Sequence, residues 1–120
     1  MVVGSESTGS TTLTQDLADR LGVLWVTEAL RAYAARKADE AGSIWDIAWT
    51  SDDFDAVADE QEAAEAEAVA AARVRGDDLV VCDNDLLAVA VWHLRYVGVE
   101  APRLVARAIP PDLYVLTTPD

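Results

Sequence analysis

Blocks of apolar and polar positions alternate along the chain, and their period changes from block to block. Residues 1–3 are apolar and run into a glycine-containing stretch. From Thr11, the leucines Leu13, Leu17 and Leu21 recur at helical spacing, and Gly22 follows as a stop. Residues 23–27, VLWVT, read as a strand. The stretch EALRAYAARKADEAG returns to a helical pattern, with Leu30, Tyr33 and Ala34 on one side and Gly42 after its end. A long alanine-rich helix is predicted over about residues 52–75, entered through TSDD. Thr50 and Asp53 stand at capping-box spacing, and Arg73 and Arg75 suit the C-terminal end of the helix dipole. LVVCD, residues 79–83, is a short apolar strand that ends on a carboxylate. NDLLAVAVWHLRYVG is helical, a small helix opens at Pro102, and DLYVLT, residues 112–117, is the last strand. Apolar strands alternating with helical crossovers predict one α/β domain over residues 1–120, a three-layer α/β/α sandwich around a parallel sheet.

Charge narrows the partners. The formal net charge is −13, and half of the 22 acidic residues fall between positions 39 and 67, a stretch without Lys or Arg. Such a chain repels phosphate backbones, so nucleic acid is not an expected partner. A polyphosphate ligand needs Mg²⁺ and local dipoles to overcome that field. The acid run reads either as a solvated helix side or as a docking face for a basic partner. The longest apolar run, residues 86–92, is far below the roughly 20 residues of a membrane span, and no basic segment precedes a hydrophobic stretch at Met1. The single Cys82 makes no internal disulfide, which fits a reducing cytoplasm.

The candidate chemistry begins in GSESTGSTT, residues 4–12. The spacing Gly4-x-x-x-x-Gly9, after an apolar strand and at the opening of a helix, is that of a phosphate-binding loop. Its glycines let successive N–H groups converge, and the helix dipole adds to the same point. Thr11 stands where a hydroxyl holds Mg²⁺. The competing reading is a Gly/Ser/Thr turn that caps an ordinary helix. The second piece is VVCDND. A carboxylate that closes an apolar strand, Asp83, can bind a metal or accept a proton; Asp85 can share that duty or cap the next helix.

GSESTGSTT, VTEALRAY, ADEQ and VVCDNDLLAVAVW, in this order and spacing, resemble the NadR-like ribosylnicotinamide kinases among the P-loop AAA-type ATPases. The resemblance runs to DLYVLTTPD. It implies a loop of Gly4, Ser5, Glu6, Ser7, Thr8, Gly9, Ser10, Thr11 and Thr12 that cradles ATP, with Thr11 and Asp83 on Mg²⁺. It places Glu28, Arg31 and Gln61 on the acceptor side and Asp83 and Asp85 at the reacting centre. The implied reaction moves the γ-phosphoryl of ATP to the 5′-hydroxyl of a nicotinamide nucleoside, on a fold where the loop strand lies beside the carboxylate strand. Three departures stand out. Ser10 replaces the loop lysine, and whether Arg31 comes in to replace its charge is a question of geometry. Asp83-Asn84-Asp85 replaces Asp-Thr-Asp. The family's lid and last strand have no counterpart, so the chain reads as a domain incomplete at its C-terminal end, beginning inside its first strand. In that reading residues 112–117 leave an apolar sheet edge on which a second copy can pair.

The competing readings of function are a kinase, a catalytically silent nucleotide-binding or regulatory module, and an acidic interaction domain. Trp45 and Trp49, four apart, are expected to share a helix face as core or cleft wall. Trp92 is a candidate substrate wall. His93 lacks a partner at metal-ligand spacing, and Cys82 is expected to be an inert strand residue.

Overall fold

The computed structural model describes residues 1–5 and 8–119. The chain runs β1 (Val2–Gly4), α1 (Ser10–Leu21), β2 (Leu24–Val26), α2 (Ala29–Ala41), a 3₁₀ turn (Ile44–Asp46) and α3 (Ser51–Arg75). It continues through β3 (Val80–Cys82), α4 (Leu86–Val97), α5 (Pro102–Arg107) and β4 (Val115–Thr117). Each predicted helix and strand has its counterpart, but helices dominate and every strand is three residues long. Residues 23–27 and 79–83 enter ladders only through their central portions, and residues 112–117 only through the last three.

The strands pair in parallel, β1 with β4 and β2 with β3. A single parallel bridge, Val2 to Asp83, joins the two ladders. There the Asn84 amide donates to the Val2 carbonyl at 2.9 Å, and the Asp83 amide donates to the Val26 carbonyl at 2.9 Å. The strand after which the glycine loop begins therefore lies beside the strand that ends in the carboxylates. What stands is a mixed α/β fold with short parallel ladders. β4 is paired on one side, and Leu116 on it is exposed.

Two apolar clusters hold these elements. Val2, Ala18 and Val81 are buried together, with Leu13, Leu17 and Trp25 packed around them, which fixes α1 against the strands. The larger cluster joins α3, α4 and α5 through Phe54, Val57, Leu86, Val89 and Leu104. Trp49 packs against it beside Tyr33 and Tyr96, with its ring centroid 5.3 Å from that of Phe54. Trp45 does not share that face. It sits on the 3₁₀ turn, 92% exposed, because α2 stops at Gly42 and the next helix begins only after Thr50.

The N-terminus of α3 is held by several hydrogen bonds. Thr50 and Asp53 form the predicted capping box, with the Thr50 amide donating to Asp53 Oδ2 at 2.8 Å. Asp53 Oδ1 also accepts from Lys37 Nζ at 2.6 Å and from the Tyr33 hydroxyl at 2.7 Å, which ties α2 to α3. Burial pushes the Asp53 carboxyl up, but the Lys37, Tyr33 and Thr50 hydrogen bonds outweigh it and leave it below the usual carboxylate range. Nearby, buried His93 links α4 to the start of α3. Its Nδ1 donates to the Val99 carbonyl at 2.8 Å, which leaves Nε2 to accept from the Ser51 hydroxyl at 2.9 Å.

Candidate nucleotide site

β1 delivers the chain to Gly4, and the loop returns it at Gly9 to start α1. Gly9 adopts φ +80°, a left-handed conformation in which a side chain is strained. Gly4 is needed for a different reason. A Cβ there would lie 1.9 Å from Thr117 Oγ1, 2.4 Å from Thr8 Oγ1 and 3.1 Å from the Thr117 carbonyl. Thr8 and Thr117 share a 2.7 Å hydrogen bond across this gap, and the Thr8 hydroxyl also reaches the Ser5 carbonyl at 2.8 Å. β4 thus braces the loop from outside, a contact that spacing within the loop does not reveal. Glu6 and Ser7, which the loop reading includes, lie outside the described residues.

The first turn of α1 faces the end of β3. Thr11 Oγ1 donates to Asp83 Oδ2 at 2.5 Å, across 72 residues of sequence. Asp83 is fully buried, and its second oxygen, Oδ1, has no partner among the described residues. A buried carboxylate oxygen left without a donor is costly and calls for an explanation, of which a bound ion or a role in a reaction are two. Arg31, from the start of α2, donates through Nη2 to the same Thr11 Oγ1 at 3.3 Å.

Asn84 follows with φ +62°, the one described non-glycine residue at positive φ. This conformation turns the chain so that Asp85 becomes the N-cap of α4. Asn tolerates it, whereas a β-branched residue such as Thr is strained there. Asp85 Oδ1 accepts from the Ala88 amide at 3.0 Å and Oδ2 from the Tyr114 hydroxyl at 2.5 Å. Both oxygens are committed, and of the two readings open for Asp85 the observed bonds are those of a cap. Tyr114 holds the carboxylate in place, and this hydrogen bond, with burial, pushes the phenol up to about 12.

Two cavities open beside this arrangement. The smaller, about 260 Å³, is lined by Gly4, Ser5, Ser10, Glu28, Arg31, Asn84 and Trp92. The larger, about 620 Å³, is mostly apolar and runs along α4 past Asp85, Val91, Trp92, Arg95 and Tyr114. Glu28, Arg31 and Trp92 thus meet at the loop. Gln61 does not line either cavity. It is buried in α3, where Oε1 accepts from the Ala29 amide at 3.0 Å and Nε2 donates to Glu65 at 2.8 Å, so it anchors α2. Thr12 faces outward, one position past Thr11 on α1. Cys82 is half-buried, and burial, with Glu65 nearby, pushes its thiol up to about 11, which leaves it unreactive at neutral pH.

A family model described as AAA domain matches residues 1–120. The chain belongs to the AAA domain family. Neither a curated protein nor a solved structure matches it.

A nucleotide-binding, P-loop type of function goes with that membership, and the residues present fit such a ligand. The left-handed glycine at the helix entrance and the hydroxyl beside a buried carboxylate are compatible with a phosphate tail. Among the described residues, no group of three His, Cys, Asp or Glu side chains stands close enough to cage a metal ion. Thr11 and Asp83 offer oxygens, the donor type Mg²⁺ takes while it keeps its waters and shares substrate phosphates. Among the described residues, no helix of this AAA domain is long and apolar enough to cross a membrane.

Proposed function

We propose that this AAA domain binds Mg·ATP at residues 4–12 and transfers the γ-phosphoryl to the 5′-hydroxyl of a nicotinamide nucleoside, on a parallel sheet covered by helices on both faces. The observation that carries the reading is the hydrogen bond from Thr11 to Asp83, because it joins the loop's metal-binding hydroxyl to a strand-end carboxylate. The ordered resemblance of residues 4–12, 26–33, 58–61 and 80–92 to ribosylnicotinamide kinases supplies the substrate class.

In this reading the loop amides and the first turn of α1 bind the phosphates, and the Thr11 hydroxyl, positioned by Asp83 Oδ2, would hold Mg²⁺. The metal, when bound, draws charge from the terminal phosphates and orients them. Glu28, Arg31 and Trp92 line the cavity beside the loop, where the nucleoside hydroxyl would meet the terminal phosphate. As the nucleoside oxygen bonds to the γ-phosphorus, the bond to the ADP oxygen breaks and the hydroxyl proton leaves to a carboxylate. Asp83 Oδ1, without a hydrogen bond of its own, has the capacity to accept it; Asp85 has both oxygens engaged.

Incubation with ATP, Mg²⁺ and nicotinamide riboside, followed by chromatography, is expected to give the mononucleotide and ADP in equal amounts. Absence of product above a no-protein control removes the kinase reading. A second reading, a silent nucleotide-binding or regulatory module, is favoured by Ser10 in place of lysine and by the committed oxygens of Asp85. It predicts nucleotide binding without turnover.

A further inference from the structure

We propose that Arg31 supplies the positive charge that Ser10 withholds from the glycine loop, so that phosphate binding here relies on a cation carried by α2. This rests on the nucleotide-binding reading above and gives Arg31 a part in it beyond lining the acceptor side.

Three observations lead there. The Arg31 guanidinium donates to Thr11 Oγ1 at 3.3 Å, one residue along from the position where a loop lysine would begin. Arg31 and Ser10 line the same cavity of about 260 Å³ as Gly4 and Ser5, and among its described lining residues Arg31 is the one Lys or Arg. The other cations of α2 face elsewhere: Arg36 pairs with Glu60 at 2.6 Å and Lys37 with Asp53 at 2.6 Å. Electrostatics makes the demand acute. The cavity wall carries Glu28, buried Asp83 stands just behind Thr11, and the chain as a whole is at −13. A triphosphate entering such a site needs a compensating charge besides any metal. A guanidinium meets that need without titrating, and its planar fork can take two phosphate oxygens at once. Arg31 is exposed, so its side chain can leave Thr11 for a ligand without opening the core.

The test is calorimetric titration of the whole chain with Mg·ATP, and separately with nicotinamide riboside, in wild type, Arg31→Ala, Arg31→Lys, Ser10→Lys and the double variant. Arg31→Ala is expected to weaken Mg·ATP by roughly 10- to 100-fold, the usual worth of a charged hydrogen bond. Arg31→Lys should retain part of the affinity. Ser10→Lys should rescue the Arg31→Ala background by a larger factor than it improves wild type, the non-additivity of two cations serving one charge. Thermal melts serve as the fold check, since an exposed Arg→Ala in a helix should leave the midpoint unchanged. Equal Mg·ATP affinity in wild type and Arg31→Ala overturns the inference and leaves the nucleotide reading standing. Loss confined to nicotinamide riboside also overturns it and returns Arg31 to the acceptor side. Absence of any Mg·ATP binding to wild type defeats the reading itself, and this inference with it.

Discussion

Carboxylates occur in two regions of this molecule under opposite circumstances. Along α3, Asp55 meets Arg103 at 2.9 Å, Asp59 and Glu62 meet Arg107 at 2.7 and 2.8 Å, and Glu60 meets Arg36 at 2.6 Å. These acids lie at or near the surface, and arginines from α2 and α5 clamp the helix from two directions. At the end of β3, by contrast, Asp83 is fully buried, holds one hydroxyl and leaves an oxygen without a partner. Acid density along the chain therefore points to the wrong place. Within the stretch at 39–67, Asp55, Asp59, Glu60 and Glu62 serve as counterparts for arginines of α2 and α5. Outside that stretch, Asp83 is fully buried with one oxygen lacking a partner among the described residues. Even Asp53, the buried acid of α3, has each oxygen bonded.

Substitutions in the two regions should separate these roles. The largest stability effect is expected at Asp53, where Asp53→Ala removes a helix cap and leaves Lys37 without its partner. A loss of about 3 kcal/mol is expected in a urea melt; less than about 1 kcal/mol would place Asp53 with the surface acids. Asp83→Asn should go the other way. Removal of a buried, half-satisfied charge is expected to raise stability by about 1 kcal/mol while it weakens Mg²⁺-dependent nucleotide binding, the exchange of stability for function found at active sites. Destabilisation by Asp83→Asn would make Asp83 a structural residue. Asn84→Thr, which puts a β-branched residue at φ +62°, is expected to cost about 1–3 kcal/mol, with Asn84→Gly close to neutral. The exposed pair sets the floor: Glu60→Gln is expected to change stability by no more than about 0.5 kcal/mol, because both side chains are about half exposed and screened by water.

Titration gives the same contrast a sign. The Asp53 carboxyl lies below its ordinary range when folded, so its contribution is present above the unfolded value and is lost as pH falls through the lowered one. Its partner Tyr33 is pushed up to about 12, by burial first and Asp53 next. That contribution is complete below the ordinary tyrosine value and is lost as pH rises through about 12. Urea midpoints across the pH range should therefore fall at both ends, and Asp53→Asn should flatten the acid limb.

Much of the fold was legible because its signals are local. The helical spacing of Leu13, Leu17 and Leu21, the Thr50–Asp53 box, Pro102 at the opening of α5 and the strand ending on Asp83 each act within a few residues. The glycines that bound the loop, Gly4 at the end of β1 and Gly9 at the entrance of α1, were legible for the same reason. Pairing extent was not, since three-residue ladders depend on how far neighbouring strands overlap. The contacts that decide the site were the least legible. Arg31 reaching Thr11, Tyr114 holding Asp85, Thr117 crowding Gly4 and Gln61 bracing α2 all cross between distant segments, and only packing brings them together. Gln61 shows how this misleads: a motif position implied by resemblance becomes a buried brace once its Ala29 and Glu65 partners are seen. Trp45 and Trp49 mislead in the opposite way, since a helical interval lacks meaning where a helix has ended.

The most direct test of the account is calorimetric titration of ATP into the wild-type chain with and without Mg²⁺, beside Asp83→Ala and, as the paired-acid control, Glu62→Ala. Binding is expected to be saturable, to require Mg²⁺, to fall by about 100-fold in Asp83→Ala and to be unchanged in Glu62→Ala. Binding that ignores Mg²⁺, or that survives Asp83→Ala intact, would contradict the account.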